Sequence, residues 1–426
     1  MPLPNDLPTA HLTIKEAADR LSVSIDTIRR WAKKGLLKST RSEQNYRLFR
    51  ADELDRLQSK HSGQAAPFKI LERPGGATPF MAVELFSGCG GLALGFERAG
   101  IQTRMLVELD KNACKTLRRN WPNKPIIQGD VGTVDFTSFR DKIDVVAGGF
   151  PCQAFSYAGY SRGFEDTRGT LFFQFARCLK EVRPKVAVGE NVRGLLKHDG
   201  GRTLETMLRA LREIGYRPEI RLLRGQFLDV PQKRERLVIL AVRDDLDLPH
   251  LFPAENDYTV SLREALKDVP ESPGHLYSAK KRAVMDLVPE GGYWRSLPDP
   301  IQRDYMGGSY FLGGGKTGMA RRLAWDEPSL TLTCSPMQKQ TERCHPTETR
   351  PLTTREYARI QSFPDEWQFE GSVGSVYKQI GNAVPVNLAY HVARCVVAML
   401  DPAEPRHRMG EGGDRIAPPP QLEMAL

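Results

Sequence analysis

No Cys-x-x-Cys pair occurs in this chain, although it carries seven cysteines, at 89, 114, 152, 178, 334, 344 and 395. Scattered and odd in number, they supply neither a disulfide framework nor zinc-ligand spacing, so a reduced, intracellular chain is expected. Cys334, Cys344 and His345 lie close together, but their spacing fits no standard metal site, and no metal is expected. The longest apolar runs fall short of a membrane span. The start, "MPLPNDLPTAHLT", has no basic segment followed by an apolar one, so neither export nor membrane insertion is expected. A P-loop is missing too: "GGGKTG" has Tyr310 where its first glycine would have to stand. Acidic residues are the minority, 52 against 61 Lys and Arg, and the net charge of +9 favours a polyanionic partner.

With 426 residues there is room for two or three domains. Residues 1–57 read as a small helical module. "TIKEAADRL" has Thr13 as N-cap with Glu16 three residues on, a capping box. A short turn at 22–24 leads into "IDTIRRWAKKGL", a second helix stopped by Gly35, with Ile28 on one face and Arg29, Arg30 and Lys33 on the other. Helix, turn and basic helix form a helix-turn-helix pattern for DNA, and "NYRLFRADELDRL" adds a strand and a helix. The module resembles the DNA-binding head of MerR-type regulators, whose wing would fall near residues 38–49. Residues 58–79, polar and rich in Gly and Pro, read as a linker.

From residue 80 short apolar strands alternate with amphipathic helices, the pattern of an α/β, doubly wound, mostly parallel sheet. The rhythm runs over 80–249, is lost over 250–345, and returns over 346–400; residues 401–426 read as a disordered tail. "VELFSGCGGLALGF" is a strand, a glycine turn and a helix, with Gly88, Gly90 and Ala93 in the spacing that brings backbone close to a nucleotide-like ligand. Glu108 and Asp130 end the next two strands, and a carboxylate at the second strand end, here Glu108, is the usual grip on ribose hydroxyls. No phosphate clamp accompanies them, so a nucleoside fits as well as a dinucleotide.

In "GGFPCQAFS" Cys152 follows the end of an apolar strand, Glu190 ends another in "VAVGENV", and Arg234 and Arg236 in "QKRER" precede a third. Each alone is open to a bland reading: a packed thiol, a helix cap, a solvated edge. Together they place a nucleophile, a carboxyl group and two guanidiniums on one rim of the sheet.

In order, "FSGCGG", "GGFPCQAFS", "ENV", "QKRER", "RPLTTREYARIQSFPDEW" and "QIGNAVPVNLA" resemble the motif series of the DNA cytosine-5 methyltransferases. The resemblance implies a Rossmann-like domain that uses S-adenosyl-L-methionine, a smaller target-recognition lobe at 250–345, and a winged helix-turn-helix head outside the match. It implies that Phe86 meets the adenine ring, Glu108 the ribose, and Asp130 with Val131 the adenine edge. Leu171, Asn382 and Ala383 complete the pocket, with Ser87, Gly88, Gly90, Gly91, Leu109 and Pro151 beside them. Cys152 would add to C6 of a flipped cytosine, Glu190 would hold N3 and the amine, and Arg236, supported by Arg234, would hold O2. Gln153, Ser156 and Arg168 would meet DNA after the cysteine; Arg321, Arg322, Lys339 and Arg343 would do so from the lobe.

The partners implied are double-stranded DNA, bound by a monomer, and a cognate restriction endonuclease, in the cytoplasm at the nucleoid. Two other readings stay open: a tRNA cytosine-5 methyltransferase, and a MerR-like regulator with a non-catalytic nucleoside-sensing domain.

Overall fold

A computed structural model describes residues 11–20, 28, 32, 37–41, 46–52, 54, 66–150, 171–311, 316–405 and 409–411. The chain divides into two compact units, 1–66 and 67–426. In the first, β1 (His11–Thr13), α1 (Ile14–Arg20), β2 (Ser39–Arg41) and β3 (Arg47–Arg50) surround a small core of Ala17, Ala18, Ile28, Leu37, Phe49 and Leu54. The strands pair antiparallel in the order β1-β3-β2. The capping box forms as the sequence requires: Glu16 N–H donates to Thr13 Oγ1 at 3.3 Å, and Thr13 N–H donates to Glu16 Oε2 at 2.7 Å. Strands β2 and β3 form a hairpin where a wing is expected; β1 carries no comparable signal in the sequence. Arg29, Arg30 and Lys33 lie outside the described residues.

The second unit is built on a seven-stranded sheet in the order β6-β5-β4-β7-β8-β11-β9. Its elements are β4 (Met81–Leu85), α2 (Gly91–Arg98), β5 (Gln102–Glu108), α3 (Lys111–Asn120), β6 (Ile126–Gln128), β7 (Val145–Gly148), α4 (Leu171–Val182), β8 (Val186–Val192), α5 (Arg202–Glu213), β9 (Tyr216–Arg224), β10 (Gln232–Lys233) and β11 (Glu235–Arg243). Strands β6 to β8 run parallel, as their nearly continuous apolar character predicts, and β11 is antiparallel to both β8 and β9. Strand order reverses between β4 and β7, and at such a switch the strand ends open a crevice.

The chain then passes β12 (Leu251–Pro253), three short lobe helices (Leu262–Ala265, Ala279–Asp286 and Asp299–Met306) and β13 (Ser329–Leu330). It returns through α6 (Thr354–Ile360), α7 (Val373–Asn382), α8 (Val386–Leu400) and β14 (Met409–Glu411). Helix α8 lies against α2, and its apolar residues share one core with Ala82, Leu92 and Phe96. Residues 373–400 are apolar enough to cross a membrane by composition, but 78% of the apolar window is buried within this unit.

Three boundaries differ from expectation. Much of the segment read as linker is fastened to the second unit: Leu71 N–H donates to Asn387 Oδ1, Asn387 Nδ2 donates to Lys69 O, and Arg73 pairs with Glu404 at 2.9 Å. The tail is not wholly irregular, since β14 pairs antiparallel with β12, Leu251 opposite Glu411. That pairing also draws 251–253 out of the lobe and into the main core. The lobe keeps a core of its own around Met285, Trp294, Met306 and Met319.

Candidate active site

At the switch point lies a cleft of about 840 Å³. Its floor is the turn from β4 into α2. Phe86 sits at φ 57°, a left-handed conformation unusual for an aromatic residue, followed by Gly88 at φ 53°. Glu108 fixes this turn: Oε2 accepts from Gly88 N–H and Oε1 from Asp110 N–H, both at 2.7 Å. Ser87 N–H donates to Val107 O at 3.1 Å, stitching the turn to β5. Gly91 is required for close approach, because a Cβ there would stand 2.2 Å from Val384 O. Asp130 caps the following turn by accepting from Gly132 N–H at 2.8 Å, with Val131 buried behind it.

Phe86, Ser87, Gly88, Gly91, Glu108, Leu109, Asp130, Val131 and Leu171 all line this cleft, together with Asn382 and Ala383 from the far end of the chain. Leu109 is 71% exposed there, an apolar surface offered to a flat ring. Gly90 does not line the cleft; it begins α2 at φ 92° against Leu117, Trp367 and Trp121. Pro151, Cys152, Gln153, Ser156 and Arg168 lie outside the described residues.

The same cleft continues to the ends of β8 and β11. Glu190 and Arg236 stand on adjacent antiparallel strands and meet with Nε–Oε1 at 2.5 Å, both nearly buried. Burial draws the Arg236 proton affinity down, while Glu190 works against that shift. Asn191 is buried and donates through Nδ2 to Phe150 O at 2.9 Å, so the ENV segment holds the chain two residues before Cys152.

Arg234, expected to support Arg236, is spent on backbone carbonyls. It is 1% exposed, and its terminal nitrogens donate to the carbonyls of Leu332, Gly381 and Ala383 at 3.0–3.1 Å. Its charge therefore ties the lobe exit and the 381–383 loop to the strand that carries Arg236.

Two lobe arginines expected to meet DNA are also committed elsewhere. Arg322 is buried and donates to the carbonyls of Met285, Val288, His345, Thr347 and Glu348 and to Thr349 Oγ1. Arg343 is buried and donates to Thr331 O and Glu342 O. Lys339 is exposed, 5.1 Å from the Tyr305 ring, and Arg321 lies over Tyr293.

The sequence reading missed Glu84, Lys378, Thr331, Thr333, Cys334 and Gln338, all of which line the cleft. Cys334 donates through Sγ to Asn382 Oδ1 at 3.1 Å, and Lys378 pairs with Asp110 at 3.1 Å. Glu84 lies within the glycine-turn block and Lys378 immediately precedes the GNAV block; the other four fall in the 331–338 stretch, where the sequence singles out only Cys334, and for metal binding.

The lining fits a cationic nucleoside better than a polyphosphate. Glu84, Glu108 and Asp130 face the cleft, whereas its cations are already paired or hydrogen-bonded.

The sequence pattern of the family described as C-5 cytosine-specific DNA methylase matches residues 80–398, and that of the MerR family regulatory proteins matches 13–49. The chain is 54% identical over 404 residues to the type II methyltransferase M.Eco47II of Escherichia coli, covering 91% of this chain and 96% of that protein. It is 49% identical to M.PspPI of Psychrobacter sp., covering 93% and 98%, and 54% identical to M.Sau96I of Staphylococcus aureus, covering 75% and 76%. Everything from residue 80 onward is about four fifths of the chain, so the first two matches take in part of the N-terminal unit. Among solved structures, a DNA modification methyltransferase encoded within an E. coli prophage has the same fold (TM-score 0.56, 23% identity, 75% of this chain and 99% of that one). These matches decide for DNA methylation against the tRNA and regulator readings. The chain belongs to the C-5 cytosine-specific DNA methylase family, enzymes that methylate cytosine at C5 with S-adenosyl-L-methionine as donor.

Proposed function

We propose that this chain methylates a cytosine flipped out of a specific double-stranded DNA site, as the protecting partner of a cognate restriction endonuclease. The observation that carries the assignment is the Glu190–Arg236 pair at one end of a cleft whose other end is the Glu108-pinned glycine turn. Stacked cytosine hides C6, so flipping, at a cost of a few kcal/mol, precedes chemistry. Cys152, as thiolate, adds to C6 and raises the electron density at C5. Glu190 holds N3 and the exocyclic amine as the ring takes up charge, and Arg236, oriented by Glu190, holds O2. Arg234 is a positioning residue. Phe86, Glu108, Leu109, Asp130, Val131 and Asn382 hold S-adenosyl-L-methionine, which supplies the electrophilic methyl group. Loss of the C5 proton then lets the Cys152 thiolate leave.

In this reading Lys339 and Arg321 meet DNA from the lobe, and the N-terminal unit is a winged helix-turn-helix that adds DNA affinity or represses the enzyme's own promoter. The enzyme acts as a monomer, at the nucleoid. A duplex with 5-fluorocytosine at the recognised position tests the chemistry, because fluorine cannot leave as a proton does. Wild type with donor should form an irreversible protein–DNA conjugate and Cys152→Ser none; a conjugate that persists in the variant refutes the nucleophile.

A further inference from the structure

One buried carboxylate outside the cleft has no role in the scheme above. Asp229, in the turn between β9 and β10, is 7% exposed and sits at φ 56°, a left-handed conformation that a residue other than glycine adopts at a cost. Both of its oxygens are taken. Oδ1 accepts from the Tyr258 hydroxyl at 2.7 Å, and Oδ2 accepts from Asn256 Nδ2 at 3.1 Å and from His391 Nε2 at 2.9 Å. Burial raises the proton affinity of this carboxyl, but the hydrogen bonds from His391 and Tyr258 outweigh it and hold the group below the usual carboxylate range. A carboxylate only accepts, so His391 Nε2 carries the proton. From the same helix as His391, Asn387 Nδ2 donates to Asp229 O at 2.8 Å.

These donors come from two separate parts of the chain. Asn256 and Tyr258 lie where it leaves β12 for the lobe, and His391 and Asn387 lie on α8. The stretch that begins at Asp229 also holds the chain where it comes back from the lobe. Ser329 N–H donates to Pro231 O at 2.9 Å, Leu332 N–H to Gln232 Oε1 at 2.9 Å, and Arg234 to Leu332 O at 3.1 Å. Gly225 N–H closes the turn on Arg234 O at 2.8 Å. Both ends of the lobe are therefore mounted on residues 229–234, two residues short of the arginine that pairs with Glu190. We propose that Asp229, clamped to α8 by His391, is a positioning residue that sets the lobe against Arg236 and so fixes which base of a bound duplex reaches the cleft. The proposal rests on the reading of the lobe as the part that meets DNA.

Two observations favour this over a residue that serves only the shape of its turn. Glycine would adopt φ 56° without strain, so the turn itself does not call for a buried carboxylate. A carboxylate that serves its own turn accepts from N–H groups within it, as Asp130 does from Gly132 two residues on. The Asp229 carboxylate instead takes side-chain donors of which the nearest in sequence is 27 residues away. Neither Asp229 nor His391 is among the residues that line the cleft, so donor binding should not feel the loss of their contact.

Variants of the full chain test the clamp. Asp229→Gly removes the carboxylate and keeps the turn, His391→Leu removes its partner on α8, and His391→Gln returns an amide N–H donor to that position. Calorimetry gives the affinity for S-adenosyl-L-methionine. Single-turnover methylation is measured on a duplex carrying the recognised site and on the same duplex with one base pair of the site changed. Asp229→Gly and His391→Leu should bind the donor within about twofold of wild type, methylate the site about 10- to 100-fold more slowly, and lose about tenfold in discrimination between the two duplexes. The double variant should be no worse than either single one, because the pair acts as a unit, and His391→Gln should restore most of both quantities. Wild-type rate or wild-type discrimination in Asp229→Gly would overturn the proposal. So would donor affinity that falls in step with the rate, or losses that multiply in the double variant. Should Asp229→Gly not fold, the two His391 variants decide. Lys339→Ala tests the underlying reading separately: unchanged affinity for the duplex would refute DNA contact by the lobe, whatever the Asp229 variants show.

Discussion

Replacing Gly91 by alanine should damage stability and cofactor binding together. The added methyl would stand 2.2 Å from Val384 O, 3.2 Å from Ala383 Cβ and 3.3 Å from the Phe363 ring. The nearest obstacle is backbone, so no rotamer change relieves it. Restoring van der Waals separation moves α2 and the 383–384 segment apart by about 1 Å. Such overpacking costs about 1–3 kcal/mol, against which alanine's better helix propensity returns less than about 1 kcal/mol. The expected net loss of about 2 kcal/mol lowers the melting temperature by about 3 °C in a unit of this size. Asn382 and Ala383 retreat with the segment, so affinity for S-adenosyl-L-methionine should fall about tenfold, or about 1.4 kcal/mol.

Two control glycines line the same cleft. At Gly88 a Cβ meets nothing, but φ is +53°, so alanine costs about 1–2 kcal/mol through backbone strain. At Gly129 there is neither strain nor obstruction, and alanine should change stability by less than about 0.5 kcal/mol. Thermal unfolding and equilibrium binding read both quantities. Wild-type melting and wild-type affinity in Gly91→Ala would refute the close-approach reasoning.

Other expectations follow from the same geometry. Glu190→Gln should slow single-turnover methylation by about 10²–10⁴-fold while leaving donor binding intact, since only the transferring base feels the loss. Arg322→Ala should cost about 3 kcal/mol or more in denaturant unfolding, because its carbonyl partners lose their donor inside the lobe. Lys339→Ala should instead leave stability unchanged, weaken DNA binding across sequences, and reduce the salt slope by about 1. His345 is held below its ordinary pKa of 6.5, first by burial, so below that value the unfolded chain binds the proton more readily. Its contribution should be complete above about pH 6.5 and decline as the pH falls through the folded pKa; His345→Asn should flatten that slope.

The glycine turn and the acidic strand ends were legible because residues of those types at strand ends have few purely structural uses. Glu108 and Asp130 nevertheless act structurally as well, one pinning the turn and the other capping it. Strand β9 escaped notice because "YRPEIRLLR" is an edge strand with charges alternating outward, which does not read as a buried parallel strand. Glu84 was invisible for the opposite reason, as one polar letter in an otherwise apolar strand. In a chain of 61 basic residues, an arginine that clamps carbonyls looks the same as one that meets phosphate. Only the closed loops around Arg322 and Arg343 reveal which is which. The β12–β14 pairing joins residues far apart in the chain, and short polar segments give no local sign of such partners.

Helix α2, which follows the opening strand of the sheet, is completed by α8, with Gly91 and Gly95 seated on the 384–390 backbone. On a ribosome adding about 5–20 residues per second, roughly 15–60 s separate the making of these two surfaces. Throughout that interval the nascent chain lacks a wall of its donor pocket. Methylation by this enzyme therefore begins only with finished polypeptides, and a ribosome stalled inside the lobe yields none.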